Sequence, residues 1–112
     1  DIYRSELDGK FGVEYTPVAA QDSVSSYYFF WIQLKKRNEL ANFLRENGVY
    51  SSFRYWPLNW IDQFKGCEGA SLDATHHAAH STLNLPLHQS LSDSDVELII
   101  DLMKKFDRKS CK

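Results

Sequence analysis

Residues 27–34 read YYFFWIQL, a nearly unbroken run of aromatic and β-branched side chains. Eight residues is a typical length for a strand and is short for a helix. A run with so little polar alternation suits a strand that is covered on both faces. We therefore predict a buried strand at residues 27–34, and its neighbours along the chain indicate what packs against it.

A helix is predicted directly after this strand. Beyond the polar break KKRN, the apolar residues Leu40, Phe43 and Leu44 recur at helical spacing and form one stripe. The pattern predicts a helix over about 38–47. Gly48 ends it, because glycine accepts the left-handed conformation that is common at helix ends.

Three further segments are predicted to be extended. The alternating sequence VYSSFRYW at 49–56 indicates a second strand, and Pro57 ends it because proline cannot donate to a β-ladder. Residues 10–26 carry glycine, proline and small polar side chains, which indicate a short edge strand and a loop. TLNLPLH at 82–88 is a short extended piece. A short helical turn and a loop are expected between Pro57 and residue 71.

Helices are predicted at both ends of the chain and before residue 82. Residues 2–9 have the pattern of the last turns of a helix that stops at Gly9, and a small-residue helix is expected over about 72–81. At the last helix, Ser92 and Asp95 form a capping-box pattern, with aspartate in place of the usual glutamate. Apolar residues follow at helical spacing: Val96, Ile99, Ile100, Met103 and Phe106.

The order of these elements predicts the fold class. Helices and strands that follow one another without a regular βαβ alternation favour an α+β layer. We expect one domain over residues 1–112, with a small antiparallel or mixed sheet of about three strands covered by helices.

The composition excludes some classes of function. The chain has 43% hydrophobic and 25% charged residues and a net charge of −2, without the clustered basic excess of a nucleic-acid or membrane surface. No apolar run approaches the roughly 18 residues of a membrane helix. The cysteines are Cys67 and Cys111, which make no disulfide framework, so a reducing cytoplasm is the expected location.

The candidate binding residues lie in SSFRYWPLNW, residues 51–60, which holds four aromatic side chains and an arginine. The guanidinium of Arg54 offers a fixed fork of donors that suits phosphate and carboxylate groups, and Tyr55 and Trp56 offer flat faces to a ligand. The alternatives are an arginine stacked on its neighbours at a strand end, or a protein interface.

Other polar residues give weaker signals. His76, His77 and His80 in HHAAH invite a metal site, but no further ligand is evident, and a solvated helix face is favoured. His88 suits a general acid or base, or a residue that orients a loop. Cys67 has no local histidine arrangement for a catalytic thiol, and the glycines match no phosphate-binding loop. We therefore assign no catalytic residues to the chain.

Taken in order, three stretches resemble the C-terminal domain of the DegT/StrS-type nucleotide-sugar aminotransferases: SSYYFFWIQL, RNELANFLRENGVYSSFRYWPLN and STLNLPLHQSLSDSDVELIIDLMKKF. These are pyridoxal-phosphate enzymes of fold type I, and the resemblance covers nearly the whole chain. It implies transfer of an amino group from L-glutamate to a keto-sugar on a nucleoside diphosphate, commonly dTDP. It also implies a homodimeric parent enzyme whose N-terminal domain, with the cofactor lysine, lies outside this chain.

The resemblance implies a limited set of site residues here. Tyr28 matches a strand motif in which relatives carry histidine or tyrosine, and Arg54, Tyr55 and Trp56 match the motif that lines the substrate mouth. Asn59 stands where relatives commonly carry histidine; asparagine can still form hydrogen bonds there, but it carries no charge and so offers no ionic contact. No pyridoxal phosphate and no activity are expected of this chain alone.

Two other hypotheses stay open. A non-catalytic module could keep this fold and use the aromatic surface around Trp56 and Trp60 to bind a protein. A histidine-rich metal-binding domain is the third possibility, and it needs ligands beyond HHAAH.

Overall fold

The computed structural model describes residues 2–66 and 71–110. Within these ranges it contains four α-helices and two strands, which confirms the α+β prediction. In chain order they are α1 (Ile2–Leu7), β1 (Phe30–Gln33), α2 (Arg37–Glu46), α3 (Asp73–Ser81), β2 (Thr82–Leu85) and α4 (Asp93–Ser110). Two single 3₁₀ turns, Leu58–Trp60 and Asp62–Phe64, lie between α2 and α3. Cys67 and Cys111, which entered the sequence predictions, lie outside the described residues.

The sheet is a single antiparallel pair. Phe30 lies opposite Leu85 and Gln33 lies opposite Thr82. One isolated bridge extends each edge: Tyr15 pairs with Gln33 beside β1, and Ser52 pairs with Asn84 beside β2. The edge strand predicted within residues 10–26 is therefore reduced to one bridge.

Two strand predictions are wrong in extent. The first strand is Phe30–Gln33 and not 27–34, because Tyr27 has a φ of 47°, a left-handed conformation that extended backbone does not adopt. Residues 49–56 form no strand beyond the Ser52 bridge. Aromatic side chains after Ser52 point into solvent, so no core is available for a strand to pack on. The sheet therefore has two strands where about three were expected.

One face of the sheet forms the centre of the core. Alternate side chains of a strand point to opposite faces, and here Phe30 and Ile32 of β1 lie on the same buried face as Leu83. The other side chains of β1, Trp31 and Gln33, are half-buried, so the prediction of a strand covered on both faces holds only in part. Helices α2 and α4 complete the core with the stripes that the sequence predicted, and the buried members are Leu40, Leu44, Ile99, Ile100, Met103 and Phe106.

The start of α4 is a capping box, as predicted. The Ser92 amide donates to the Asp95 carboxylate at 3.0 Å, and the Asp95 amide donates to the Ser92 hydroxyl at 3.2 Å. The Ser92 hydroxyl also donates to the Asp95 carboxylate, and the hydrogen bonds from this hydroxyl and from the Ser92 amide hold the pKa of Asp95 below its ordinary value, since they favour the charged carboxylate. In residues 2–66 and 71–110 no helix combines the length and the apolar character needed to cross a membrane.

Candidate functional site

A cleft of about 690 Å³ lies between the segment that follows α2 and the start of α4. Two of the five predicted site residues, Tyr28 and Arg54, line it. Its apolar wall includes Leu91 and Leu98 from the approach to α4 and from α4 itself, while His88 is a polar member of the same wall. The cleft therefore combines a cation, hydroxyl and imidazole groups, and an apolar surface, a combination typical of small-molecule sites.

Arg54 and Tyr28 meet although they are 26 residues apart in the sequence. The Arg54 guanidinium donates a long hydrogen bond of 3.4 Å to the Tyr28 hydroxyl. Hydrogen bonds to the side chains of Tyr55 and Tyr28 raise the pKa of Arg54 above its ordinary value. Arg54 is therefore positively charged at any physiological pH, and its exposed guanidinium suits a phosphate or carboxylate group.

Backbone pairing places Arg54 at the cleft. Ser52, two residues earlier, exchanges both backbone hydrogen bonds with Asn84 of β2, at 3.1 and 2.8 Å. Tyr28 in turn lies two residues before β1, the partner strand of β2. The short sheet thus brings Tyr28, at the end of the loop before β1, next to Arg54, at the start of the loop after the Ser52 bridge.

The other three predicted residues do not line this cleft. The Tyr55 side chain forms a hydrogen bond with Arg54, and 74% of the Tyr55 surface is exposed. Trp56 meets Trp60 edge to face, with ring centroids 5.1 Å apart. The side-chain nitrogen of Asn59 lies 2.9 Å from Nε2 of a histidine on α3. The five residues therefore divide between the cleft and an aromatic cluster beside α3.

Two of the three histidines of HHAAH belong to that aromatic cluster, which consists of Trp56, Asn59, Trp60, His76 and His80. The Trp60 ring lies 5.6 Å from the His76 ring and 5.2 Å from the His80 ring. Two residues four apart on a helix share one face, so this packing explains their spacing. Among the described residues, no group of three histidine, cysteine or acidic side chains could hold a metal ion. A solvated helix face is thus an incomplete account of His76 and His80.

Two buried polar residues were missed by the sequence analysis. The Asn84 side chain is buried, and its amide nitrogen and oxygen have no partner within the described ranges. Arg37, the first residue of α2, is also buried and donates to two backbone carbonyls. The polar run KKRN gave no signal that its arginine, rather than a lysine, turns inward.

Comparison with known proteins agrees with this architecture. Residues 1–104 match the sequence profile of the DegT/DnrJ/EryC1/StrS aminotransferase family. The chain is 36% identical over 96 residues to a dTDP-4-dehydro-2,3,6-trideoxy-D-glucose 4-aminotransferase of Saccharopolyspora spinosa, a match that covers 84% of this chain and 24% of the relative.

Solved structures of aminotransferases have the same fold as this chain. The aminotransferase TlmJ of Streptoalloteichus hindustanus superposes with a TM-score of 0.85 at 38% identity, covering 99% of this chain and 30% of TlmJ. Spr1654 of Streptococcus pneumoniae, solved in a PMP form, superposes with a TM-score of 0.76 at 25% identity, covering 96% of this chain and 28% of that one. The chain thus spans less than a third of the length of these relatives. With a family match over nearly its whole length, the chain belongs to the DegT/DnrJ/EryC1/StrS aminotransferase family.

Proposed function

We propose that this chain is the small domain of a pyridoxal-phosphate-dependent aminotransferase that transfers an amino group, from L-glutamate, to a keto-sugar on a nucleoside diphosphate. The observation that carries the proposal is the family match over residues 1–104, together with 36% identity to a relative named for a dTDP-sugar. The larger domain, a homodimeric assembly and a cytoplasmic location belong to the same proposal.

The cofactor itself does not fit this chain. Enzymes of this chemistry hold pyridoxal phosphate through a lysine. Among the described residues no lysine lines the cleft, and several lysines are engaged elsewhere, such as Lys35 with Glu14 and Lys36 with the carbonyl of Ser110. The cofactor would therefore be held by the rest of the enzyme, and the role left for this chain is to bind and orient the substrate.

The cleft supports a role in binding the nucleotide-sugar. The Arg54 guanidinium would pair with the diphosphate, and the Tyr28 hydroxyl is close enough to donate to the same group. Leu91 and Leu98 offer an apolar wall to the base or the deoxysugar, and 52% of the Leu98 surface is exposed. Tyr55 would act by holding the Arg54 guanidinium in place.

Trp56 and Asn59 have a different proposed role. Each contacts a neighbour in the aromatic cluster, so we expect them to shape the outer rim of the site rather than to grip the phosphates.

Titration of the 112-residue chain with dTDP, followed by amide chemical shifts, tests the site. We expect saturable shifts around Tyr28, Arg54 and Leu91, which Arg54→Ala abolishes. Arg45→Ala is the matched control, since Arg45 is an exposed arginine on α2 whose guanidinium donates to the Asn42 side chain. Shifts that persist in Arg54→Ala would contradict the assignment of the site.

A protein-interaction module remains the second candidate, because residues 50–58 expose several large apolar side chains: Tyr50, Phe53, Tyr55, Trp56 and Leu58. On this hypothesis dTDP produces no shifts, and Trp56→Ala removes self-association or partner binding. Sedimentation of the wild-type and Trp56→Ala chains over a concentration series separates the two functions.

A further inference from the structure

Arg37 is a buried cation that connects three parts of the fold. Arg37 is the first residue of α2, and only 9% of its surface is exposed. One guanidinium nitrogen donates to the carbonyl of Thr82 and another to the carbonyl of Ala79, each at 3.1 Å. These carbonyls lie in the last turn of α3 and at the first residue of β2. The start of α2 is thereby fixed to the α3–β2 junction.

The same guanidinium also supports the segment that carries Arg54. The guanidinium carbon of Arg37 lies 4.1 Å from the centre of the Phe53 ring. Phe53 stands between Ser52, whose backbone pairs with Asn84, and Arg54, whose guanidinium reaches Tyr28. The segment is therefore held at consecutive residues, by the sheet at Ser52 and by the Arg37 stack at Phe53.

We propose that Arg37 is a positioning residue for nucleotide-sugar binding: by stacking on Phe53 it sets the direction of residues 52–54 and so presents Arg54 to the cleft. This inference rests on the proposed function. Arginine suits the task because its planar fork donates to two carbonyls while its face covers a ring. A lysine keeps the charge but has no planar face, so it retains part of the hydrogen bonding and loses the stack.

The experiment uses the 112-residue chain with the variants Arg37→Met, Arg37→Lys and Phe53→Leu. The matched control is Arg45→Met, which makes the same change on the same helix at an exposed arginine. Two readouts are measured: the nuclear Overhauser contact between the Arg54 side chain and the Tyr28 ring without ligand, and the Kd for dTDP.

We expect Arg37→Met and Phe53→Leu to lose the Arg54–Tyr28 contact and to raise the Kd by about three- to tenfold, because the ligand must then order the segment itself. Arg37→Lys is expected to lie between these and the wild type. Arg45→Met is expected to leave both readouts unchanged.

The proposal is overturned if Phe53→Leu and Arg37→Met keep both the contact and the wild-type Kd. Should Arg37→Met fail to fold, Phe53→Leu decides the matter, since 53% of the Phe53 surface is exposed and the change leaves the core intact. If the wild-type chain binds no dTDP, the substrate role of the cleft is refuted, while the Arg54–Tyr28 contact still shows whether Arg37 positions Arg54.

Discussion

The core and the aromatic segment at residues 50–58 are both rich in large apolar side chains, but they differ completely in exposure. In the core, Ile32, Leu40 and Leu83 are fully buried, at 0% exposed. In the segment, 74% of Tyr55 and 67% of Trp56 lie in solvent. The core residues lie on strands and helices that pack together, whereas the segment contains Pro57 and leads into the 3₁₀ turn at Leu58–Trp60. Apolar content therefore does not separate the residues that stabilise the fold from those that are available to a ligand or partner; packing against the sheet and the helices does.

The largest expected contrast is between two leucines, one in each region. Leu83→Ala empties a fully buried position on β2 and should lower the free energy of unfolding by about 2–5 kcal/mol. Leu58→Ala makes the same chemical change where 65% of the residue is exposed, and a change within about 0.5 kcal/mol is expected. Urea unfolding of the two variants measures both values. Equal losses would remove the distinction between the regions.

The next effect concerns binding rather than stability. In an enzyme in which this chain replaces the matching segment of the Saccharopolyspora spinosa relative, Arg54→Ala should raise the KM for the nucleotide-sugar roughly tenfold or more, through loss of charged hydrogen bonds. The KM for glutamate should not change, because the proposed contact is with the diphosphate. Steady-state kinetics with Arg45→Ala as control measures both constants, and a parallel rise in both would contradict a role on the sugar side.

A substitution inside the sheet is expected to have a smaller effect and to raise the stability of the fold. Asn84 is buried with both polar side-chain atoms unpaired in the part of the chain that the structure describes. Asn84→Leu removes the cost of that burial and should raise the free energy of unfolding by about 1 kcal/mol. Asn42→Leu, at an exposed position on α2, serves as the control. Destabilisation by Asn84→Leu would contradict the prediction and show that the amide is hydrogen-bonded in solution.

The smallest effect depends on pH. The depressed pKa of Asp95 means that its stabilising contribution is fully present above the unfolded value of 3.8 and is lost as the pH falls through the lower, folded value. The stability difference between the wild type and Asp95→Asn should therefore be constant near neutral pH and shrink in acid. Unfolding curves of both proteins between neutral pH and strong acid measure it. A difference that persists unchanged in acid would contradict the capping role of the charged carboxylate.

The helices could be predicted because their signals are local. A few neighbouring residues are enough to encode the stripe with Leu40 and Leu44 or the Ser92–Asp95 capping box. The structure confirms both. The strand at 49–56 could not be predicted correctly, because strand formation depends on whether a distant surface is available for packing. Alternation alone did not reveal that only Ser52 would find a partner.

The candidate site was foreseen in part. Arg54 was singled out by its chemistry, and family resemblance added Tyr28; the structure brings the two together, while their role in binding stays a prediction. Trp56 and Asn59 were grouped with them because the family resemblance places them in or beside the motif that lines the substrate mouth. The turn at Leu58–Trp60 instead directs them toward α3. The burial of Arg37 depends on carbonyls more than 40 residues away, which no local pattern encodes.

The contact between the Trp56 and Trp60 rings gives this part of the chain its own optical signal. Two indoles with centroids 5.1 Å apart and planes at 74° couple their electronic transitions, which produces a paired feature in circular dichroism. The remaining tryptophan of the chain, Trp31, lies on the sheet and reports on a different environment. The circular dichroism of this indole pair can therefore follow the opening of the turn at Leu58–Trp60 separately from global unfolding, without any attached label.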